Sequence, residues 1–288
     1  MNANHPAYFI QPALAPSIPL VLDSPHSGFS FPDDFRPAAP VEAVRTGWDG
    51  YLDELWSSAT ALGAPLLCAR FPRTYIDANR AADDIDPALM ATPWPHPSQP
   101  SDYSRRGQGL IRRFALPGIP MYDRALSVAE VENRLHHYYL PYRQALRQLI
   151  DAALQAHRQV WHLDLHSMKS TGNAMNEDAG QARPDFVISD RLGSSADPRA
   201  TQWIADQFSA MGYRTLVNTP YRGGDIVRTY GAPAQGCHSI QIEINRALYM
   251  QESSGEKSAN YPRLKADIDR FLVHFAAVIG DPAGAFPA

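Results

Sequence analysis

The chain has 288 residues, of which 44% are hydrophobic and 19% charged. A chain of this composition can bury a sizeable core, which excludes an intrinsically disordered protein. The formal net charge of −4 and the lack of a long basic run argue against nucleic acid or an anionic membrane as the main partner. No stretch approaches the roughly 20 apolar residues of a membrane-spanning helix.

The N-terminal segment and the cysteines bear on the compartment. MNANHPAYFI lacks the basic and apolar segments of a signal peptide, so we expect a cytoplasmic protein. Cys68 and Cys237 lie far apart without C-x-x-C spacing. This excludes a disulfide framework and gives no support to a thiolate zinc cluster.

In chain order, the first half predicts a strand at 18–23, a helix at 47–62 with one apolar stripe, and strands or strand edges at 66–70 and 74–77. Residues 82–124 interrupt this rhythm, because they are rich in proline and contain Arg105, Arg106, Arg112 and Arg113. So long a segment without a regular pattern is more often functional than a plain connector. These arginines either belong to a cover over the site or only solvate a loop.

The second half alternates between strands and helices. A long helical region at 127–157 is expected to bend at Pro141. The segments that follow read as strand, strand, helix, strand, strand and helix, at 160–166, 185–190, 198–211, 214–218, 238–244 and 258–279. We therefore predict one α/β domain over residues 1–288, with a central mixed, largely parallel sheet flanked by helices.

Two histidines follow or end predicted strands. In WHLDLHSM, His162, Asp164 and His166 share one strand face, and the polar residues reach the carboxyl end, where open α/β sheets place their sites. His26 lies in the turn SPHSG after the first strand. Each alone could be an inert turn or core residue, but imidazoles at two strand ends suit a zinc site.

Glu243 lies between two isoleucines on a buried strand. Strand parity places Cys237, Ser239, Gln241 and Glu243 on one face and His238 on the apolar face, which predicts a structural role for His238. A buried carboxylate needs a partner. That partner is either a water on zinc, with Glu243 as general base, or Arg246 or Arg222 in a structural ion pair.

The segment YIDANR offers a recognition pair. Arg80 presents a planar fork that matches a carboxylate, and Asn79 supplies a further donor. Alternatively, Arg80 pairs with Asp83 or Asp84 at the surface.

The order DANR, DLHS and a late strand-borne glutamate resembles the zinc carboxypeptidase pattern. The resemblance implies a zinc-exopeptidase or carboxypeptidase-like fold, with His26 and His166 as zinc ligands and Glu243 as the base. It also implies that Asn79 and Arg80 grip a substrate carboxylate, while Asp77 supports His26 from behind. A similar supporting role is expected for Asp164 beside His166.

A closer resemblance spans nearly the whole chain. LDSPHSGFSFP, GWDGYLDELW, FPRTYIDANR, DLHSMKS, RPDFVISDRLG, PYRGGDIVRTYG and QIEINRALYM resemble, in order and spacing, the N-formylglutamate amidohydrolase (deformylase) family. It implies one Zn²⁺, or another divalent metal, per chain and a small N-acyl amino acid as substrate. The expected reaction is hydrolysis of N-formyl-L-glutamate to formate and L-glutamate by a zinc-bound water that Glu243 activates.

The third zinc ligand departs from the carboxypeptidase pattern, which has H-x-x-E where this chain has Phe29. Asp49 is the candidate, with Asp53 and Asp164 in reserve. Alternatively, Thr46 and Asp49 form a capping box at the start of the predicted helix.

Two more arginines have expected roles in substrate recognition. Arg228, after the Arg-Gly-Gly turn, is expected to hold the second substrate carboxylate, unless it is a strand-edge charge facing solvent. Arg73 or Arg228 would stabilise the oxyanion. Another N-acyl amino acid deacylase, a carboxypeptidase, and a non-catalytic binding protein on the same fold remain alternatives.

Overall fold

A computed structural model of the chain describes residues 7–281 and residue 286. Its strands are Tyr8–Gln11 (β1), Leu20–Ser24 (β2), Leu66–Ala69 (β3), Phe114–Leu116 (β4), Ile119–Pro120 (β5), Val160–Met168 (β6), Phe186–Ser189 (β7), Thr215–Val217 (β8) and Cys237–Asn245 (β9). Its α-helices are Val41–Arg45 (α1), Leu52–Leu55 (α2), Asp102–Arg105 (α3), Val128–Arg134 (α4), Leu140–His157 (α5), Pro198–Ala210 (α6), Asp225–Tyr230 (α7) and Tyr261–Gly280 (α8). Most of the N-terminal segment on which the expected lack of a signal peptide rests lies outside the described residues.

Seven strands form the central sheet in the order β1-β3-β2-β6-β9-β7-β8. The neighbours β3–β2, β2–β6, β6–β9 and β7–β8 are parallel, whereas β1–β3 and β7–β9 are antiparallel. The predicted mixed, largely parallel α/β sheet is therefore confirmed. Strand β1 was not predicted; it adds an antiparallel edge beside β3.

Helices cover the sheet on both faces. One buried layer packs α6 and α8 against the apolar side of β6 and β9, including Leu163, Leu165, Ile240 and Ile242. The other layer packs α5 and α7 against the opposite side. On that opposite side the central strands carry buried polar residues, among them His162, Asp164, Ser239 and Gln241. The two faces of β6 and β9 thus differ as strand parity predicts.

The predicted helix at 47–62 is wrong in its first part. Helix α1 ends at Arg45, a turn follows, and only the short α2 and a 3₁₀ helix, Ser57–Leu62, come after it. Tyr51 has a positive φ of 63°, a conformation that interrupts a right-handed helix. The apolar stripe is nevertheless buried, because Leu52, Leu55 and Trp56 all lie in the core.

Residues 74–77 are not a strand. Their backbone forms turns and loop contacts instead: the Tyr75 amide donates to Pro72, and the Asp77 amide donates to Leu110 in the proline-rich segment. All four of these residues are buried, so the segment packs into the core as a turn, and the local pattern cannot distinguish such a turn from a short buried strand.

The long helical region at 127–157 is continuous and contains a π-helical turn, Leu135–Tyr139, directly before α5. Pro141 lies in the first turn of α5. Proline has no N–H to donate to the preceding turn, which accounts for the π-helical turn there, while the expected bend at Pro141 stays a prediction. Among the described residues, no helix is long and apolar enough to cross a membrane.

Candidate metal centre and active site

The candidate site residues come from four neighbouring parallel strands. His26 follows β2, Asp77, Asn79 and Arg80 follow β3, His166 lies near the end of β6, and Glu243 lies near the end of β9. These strands are consecutive in the sheet order, and His166 pairs directly with Glu243 in the β6–β9 register. Because the carboxyl ends of parallel strands meet at one edge, residues far apart in sequence converge there.

The two histidines face each other through the same ring atom. His26 Nδ1 lies 3.0 Å from His166 Nδ1, and both residues are buried. The other ring nitrogen of His26, Nε2, lies 2.7 Å from Asp77 Oδ1. Arg73 in turn donates two hydrogen bonds to Asp77 Oδ2, at 3.0 and 2.7 Å. Asp77 thus fixes the ring so that Nδ1 points at the centre of the cluster.

His166 is held in the same way from behind. Its Nε2 lies 2.8 Å from Asp164 Oδ1 and 2.8 Å from the amide nitrogen of Asn79. The Asn79 amide oxygen is also engaged, since it accepts a hydrogen bond of 2.8 Å from the Ile226 backbone. Nδ1 is therefore the His166 nitrogen that remains for the cluster.

Asp49 completes the cluster. Its Oδ2 lies 3.4 Å from Nδ1 of each histidine. Its Oδ1 forms a 2.7 Å ion pair with Arg246, which also donates to Ser167 Oγ. One ligand atom each from His26, Asp49 and His166 lie within 4.8 Å of one another, so this buried group could hold a metal ion. Two imidazoles and a carboxylate with an open fourth position are the ligand set of a catalytic zinc.

The capping alternative for Asp49 is wrong. Thr46 ends α1 instead of starting a helix, and the Asp49 carboxylate accepts a hydrogen bond from the Ser167 backbone at 3.2 Å. The Asp49 amide donates to the His26 carbonyl at 3.0 Å. Both bonds tie Asp49 to the segments that carry the histidines.

The charged and titratable groups of this cluster shift one another's pKa values. Burial lowers the pKa of His26, and the neighbouring Arg73 lowers it further, which favours the neutral imidazole that a metal needs. Burial alone would lower the pKa of His166, but Asp164 and Asp49 hold it well above its usual value. Burial would raise the pKa of Asp49, yet hydrogen bonds from the two histidines hold it well below the usual range. The two carboxylates thus favour positive charge at His166, the position where a cation would lie.

Glu243 has no ion-pair partner among the described residues, so the expected alternative, a structural pair with Arg246 or Arg222, is wrong. Arg246 is taken by Asp49. The Glu243 carboxylate accepts one hydrogen bond of 3.0 Å from Gln241 Nε2 and faces a polar cavity. Burial raises its pKa, as does the charge of Asp49, while His166 opposes the rise. A buried carboxylate beside a candidate metal centre has the environment of a general base.

The cavity in front of Glu243 has a volume of about 120 Å³ and is lined by His166, Asn79, Arg80 and Arg73, among others. A volume of this size holds several water-sized groups, which suits a small molecule. The proline-rich segment at 82–124 contributes Tyr103, Gln108 and Arg112 to the lining.

Arg80 lies in this cavity and not at the surface with Asp83 or Asp84. It donates to the Gln108 carbonyl at 3.1 Å, and its guanidinium lies 3.9 Å from the Tyr103 ring centre. The Asp84 carboxylate accepts hydrogen bonds from Ser101 and Ser104 instead.

Arg228 lies further out. It belongs to the helix α7 and not to a strand edge, its side chain is 55% exposed, and it pairs with Asp225. It lines an outer cavity together with Asn79 and Arg80.

Sequence reasoning missed Arg112. The other arginines of its segment pair with acids: Arg105 with Asp102, Arg106 with Glu177, and Arg113 with Asp86. Arg112 is only 8% exposed and faces the cavity. The run of two adjacent arginines gives no periodicity that would tell the buried one from its neighbour. His238, by contrast, stacks on Trp161 at 4.0 Å, away from the site.

Gly28 constrains the turn that carries His26. A Cβ added here would lie 2.3 Å from the backbone carbonyl carbon of Arg70. We expect Gly28→Ala to lower the free energy of unfolding by about 1–3 kcal/mol, the usual cost of overpacking, and to weaken metal binding by shifting His26. Urea unfolding and metal titration measure both effects. Gly280→Ala, where a Cβ meets nothing within 4 Å, is the control; equal stability of the two variants would contradict the prediction.

The chain has an open α/β sheet whose carboxyl edge carries a buried His–Asp–His group and a glutamate without an ion-pair partner in the described part of the chain. These features define a candidate metallohydrolase. The sequence profile of the N-formylglutamate amidohydrolase family matches residues 18–250. The chain belongs to this family of amidohydrolases.

Individual relatives agree with this assignment. The N-formylglutamate deformylases of Pseudomonas aeruginosa and Pseudomonas putida are 29% and 28% identical to the chain, over 82% of it and over 84% and 83% of their own lengths. The crystal structure of N-formylglutamate amidohydrolase from Ralstonia eutropha JMP134 superposes with a TM-score of 0.90 at 38% identity, covering 95% of this chain and 98% of that one.

Proposed function

We propose that the chain hydrolyses the amide bond of N-formyl-L-glutamate, or of a close N-acyl acidic amino acid, releasing formate and L-glutamate. The observation that carries this proposal is the convergence of His26 Nδ1, His166 Nδ1 and Asp49 Oδ2, together with the small polar cavity that His166 and Glu243 line. Family membership supports the substrate class.

His26, Asp49 and His166 would hold one zinc ion, or another divalent metal. The donor set fits, since neutral imidazole nitrogens and a carboxylate oxygen are common zinc ligands, and Asp77, Asp164 and Arg246 fix them from behind. A bound zinc ion would supply Lewis acidity, which lowers the pKa of a coordinated water and polarises a carbonyl group.

Glu243 serves as the general base and acid. Its carboxylate takes a proton from the attacking water and returns it to the departing amine nitrogen. The raised pKa of Glu243, caused mainly by burial, makes the carboxylate a stronger base than one in water. The single hydrogen bond from Gln241 orients the group without neutralising it.

Arg73 is our candidate for the donor that stabilises the negative oxygen of the tetrahedral intermediate. Its Nε and Nη2 donate to Asp77, while its Nη1 donates to no described residue and the side chain lines the cavity. A donor preset by Asp77 needs no reorganisation when charge develops on the substrate.

Arg80 would bind one substrate carboxylate, because its guanidinium lies in the cavity without an acidic partner among the described residues. Asn79 would support it mainly by positioning, since hydrogen bonds already hold both ends of its amide. Arg228 lies at the mouth of the outer cavity and could attract the second carboxylate on entry.

A substrate panel tests this function. We expect N-formyl-L-glutamate to release formate with a kcat/KM at least about 100-fold above that of N-formyl-L-leucine, because a site built for charged groups rejects analogues that lack them. Removing the metal with a chelator should abolish turnover, and adding back zinc should restore it. Faster release of acetate from N-acetyl amino acids, or of a C-terminal residue from dipeptides, would favour a deacylase or a carboxypeptidase instead. Unchanged activity after chelation would contradict the metal assignment.

A further inference from the structure

A second cavity adjoins the first. It has a volume of about 90 Å³ and shares Arg73, Gln108, Arg112, Ser167, Asn176 and Tyr221 with the cavity in front of Glu243. Among the residues that the structure describes, five cationic side chains and no carboxylate line it: Arg73, Arg112, Lys169, Arg183 and Arg246. We call this space the cationic chamber.

Three of the five cations are already balanced. Arg73 pairs with Asp77, Arg183 with Asp178, and Arg246 with Asp49. A protein carboxylate therefore largely neutralises the charge of each of these three arginines. Their main role is to support the structure or the candidate metal ligands.

Arg112 and Lys169 form no ion pair with any described residue. The Arg112 side chain is more than nine-tenths buried, and its Nε has no hydrogen-bond partner in the described part of the chain. Burial, together with the charge of Arg73, lowers the pKa of Arg112 to about 9. Burial and the charge of Arg246 lower the pKa of Lys169 to about 8, and Arg112 adds to that effect. Arg112 and Lys169 thus bring two positive charges without an ion pair to one space. Glu252 partly offsets the charge of Lys169, and an anion between the two cations would stabilise both.

We propose that Arg112 and Lys169 bind the side-chain carboxylate of the substrate, the one distal to the scissile amide. This inference rests on the proposed function, which places a dicarboxylate in the adjoining cavity. Arg80 then holds the α-carboxylate, and the chamber selects acidic over neutral side chains. Arg228, which is exposed and paired with Asp225, acts outside the chamber.

Substitution of both chamber cations tests the assignment. For Arg112→Met and Lys169→Met, the ratio of kcat/KM for N-formyl-L-glutamate over N-formyl-L-glutamine should fall about 10- to 100-fold each, mainly through KM, because each variant loses a charge-assisted hydrogen bond to the carboxylate. Lys169→Arg should restore part of the ratio. Arg105→Met, on an exposed arginine of the same segment, is the matched control with an unchanged ratio. Equal losses on both substrates, or no loss, would overturn the proposal.

Two further measurements distinguish a failure of this proposal from a failure of the proposed reaction on which it rests. In thermal unfolding, Arg112→Met should be at least as stable as the unaltered protein, because no carboxylate loses its ion-pair partner. Arg183→Met should be less stable, because Asp178 then loses its ion-pair partner.

The second measurement is calorimetric titration of the zinc-loaded protein with glutarate. Each chamber variant should bind glutarate at least about 10-fold more weakly than the unaltered protein does. The unaltered protein and the variants should all bind butyrate more weakly than glutarate. Glutarate binding of this kind without turnover would refute the proposed reaction but keep the chamber. Turnover of N-formyl-L-glutamate with chamber variants that bind glutarate normally would refute the chamber but keep the reaction.

Discussion

Replacing Glu243 with glutamine should reduce formate release from N-formyl-L-glutamate by at least about 100-fold while the protein keeps its zinc. A general base contributes roughly 10²–10⁴ to the rate, and glutamine cannot accept the proton. The fold should tolerate the change, because the glutamine carbonyl can still accept the hydrogen bond from Gln241. The loss should appear in kcat, with little change in KM, since Glu243 acts on the reacting proton and does not hold the substrate.

The measurement combines steady-state formate release with the zinc content of the purified variant. Glu54→Gln is the matched control, since Glu54 lies on the exposed surface and pairs with Lys257. Unchanged turnover in Glu243→Gln would remove Glu243 from the mechanism. Loss of zinc together with activity would instead make Glu243 a part of the metal centre.

Replacing Asp49 with asparagine should weaken zinc binding by at least about 100-fold and abolish activity in parallel. Asparagine removes the negative charge that faces the two histidine Nδ1 atoms, and loss of a direct ligand should exceed the 10- to 100-fold effect typical of groups behind the ligands. Asparagine can still accept a hydrogen bond from Arg246, so the variant should fold. Asp49→Ala should lose zinc too, and it should also unfold more easily, by about 3–5 kcal/mol, because Arg246 is then buried without a partner.

Zinc titration monitored by calorimetry, on protein stripped of metal, measures the first effect. Urea unfolding of the same metal-free proteins measures the second. Asp53→Asn offers a control of the same residue type four positions later, and Asp53 lies outside the cluster formed by His26, Asp49 and His166. An Asp49→Asn variant that binds zinc with normal affinity would exclude Asp49 as a ligand and direct attention to Asp164.

The strands that carry the site were predictable because each is a buried run, and β6 and β9 also alternate clearly between polar and apolar side chains. In β6 and β9 the parity of side chains separated the polar face, with His166 and Glu243, from the apolar face, with His238. Alternation is a local property of extended backbone, so it survives without knowledge of the neighbours. The prediction at 74–77 was wrong because a fully buried turn has the same local pattern as a short buried strand.

By itself the sequence determined the α/β class, the largely parallel sheet, the family, and the strand ends at which the two histidines and Glu243 lie. Only the tertiary structure decided the partners of the charged groups. Asp49 and Arg246 are 197 positions apart in the sequence, yet they form an ion pair. This pair engages the Asp49 carboxylate away from any helix N-terminus, and it leaves Glu243 without Arg246 as an ion-pair partner. Arg112 could be told from Arg113 only by its burial. The periodicity of a sequence indicates which side of a helix or strand is buried. The role of a charged side chain depends instead on which other segment of the chain packs against it, and the local sequence pattern does not contain that information.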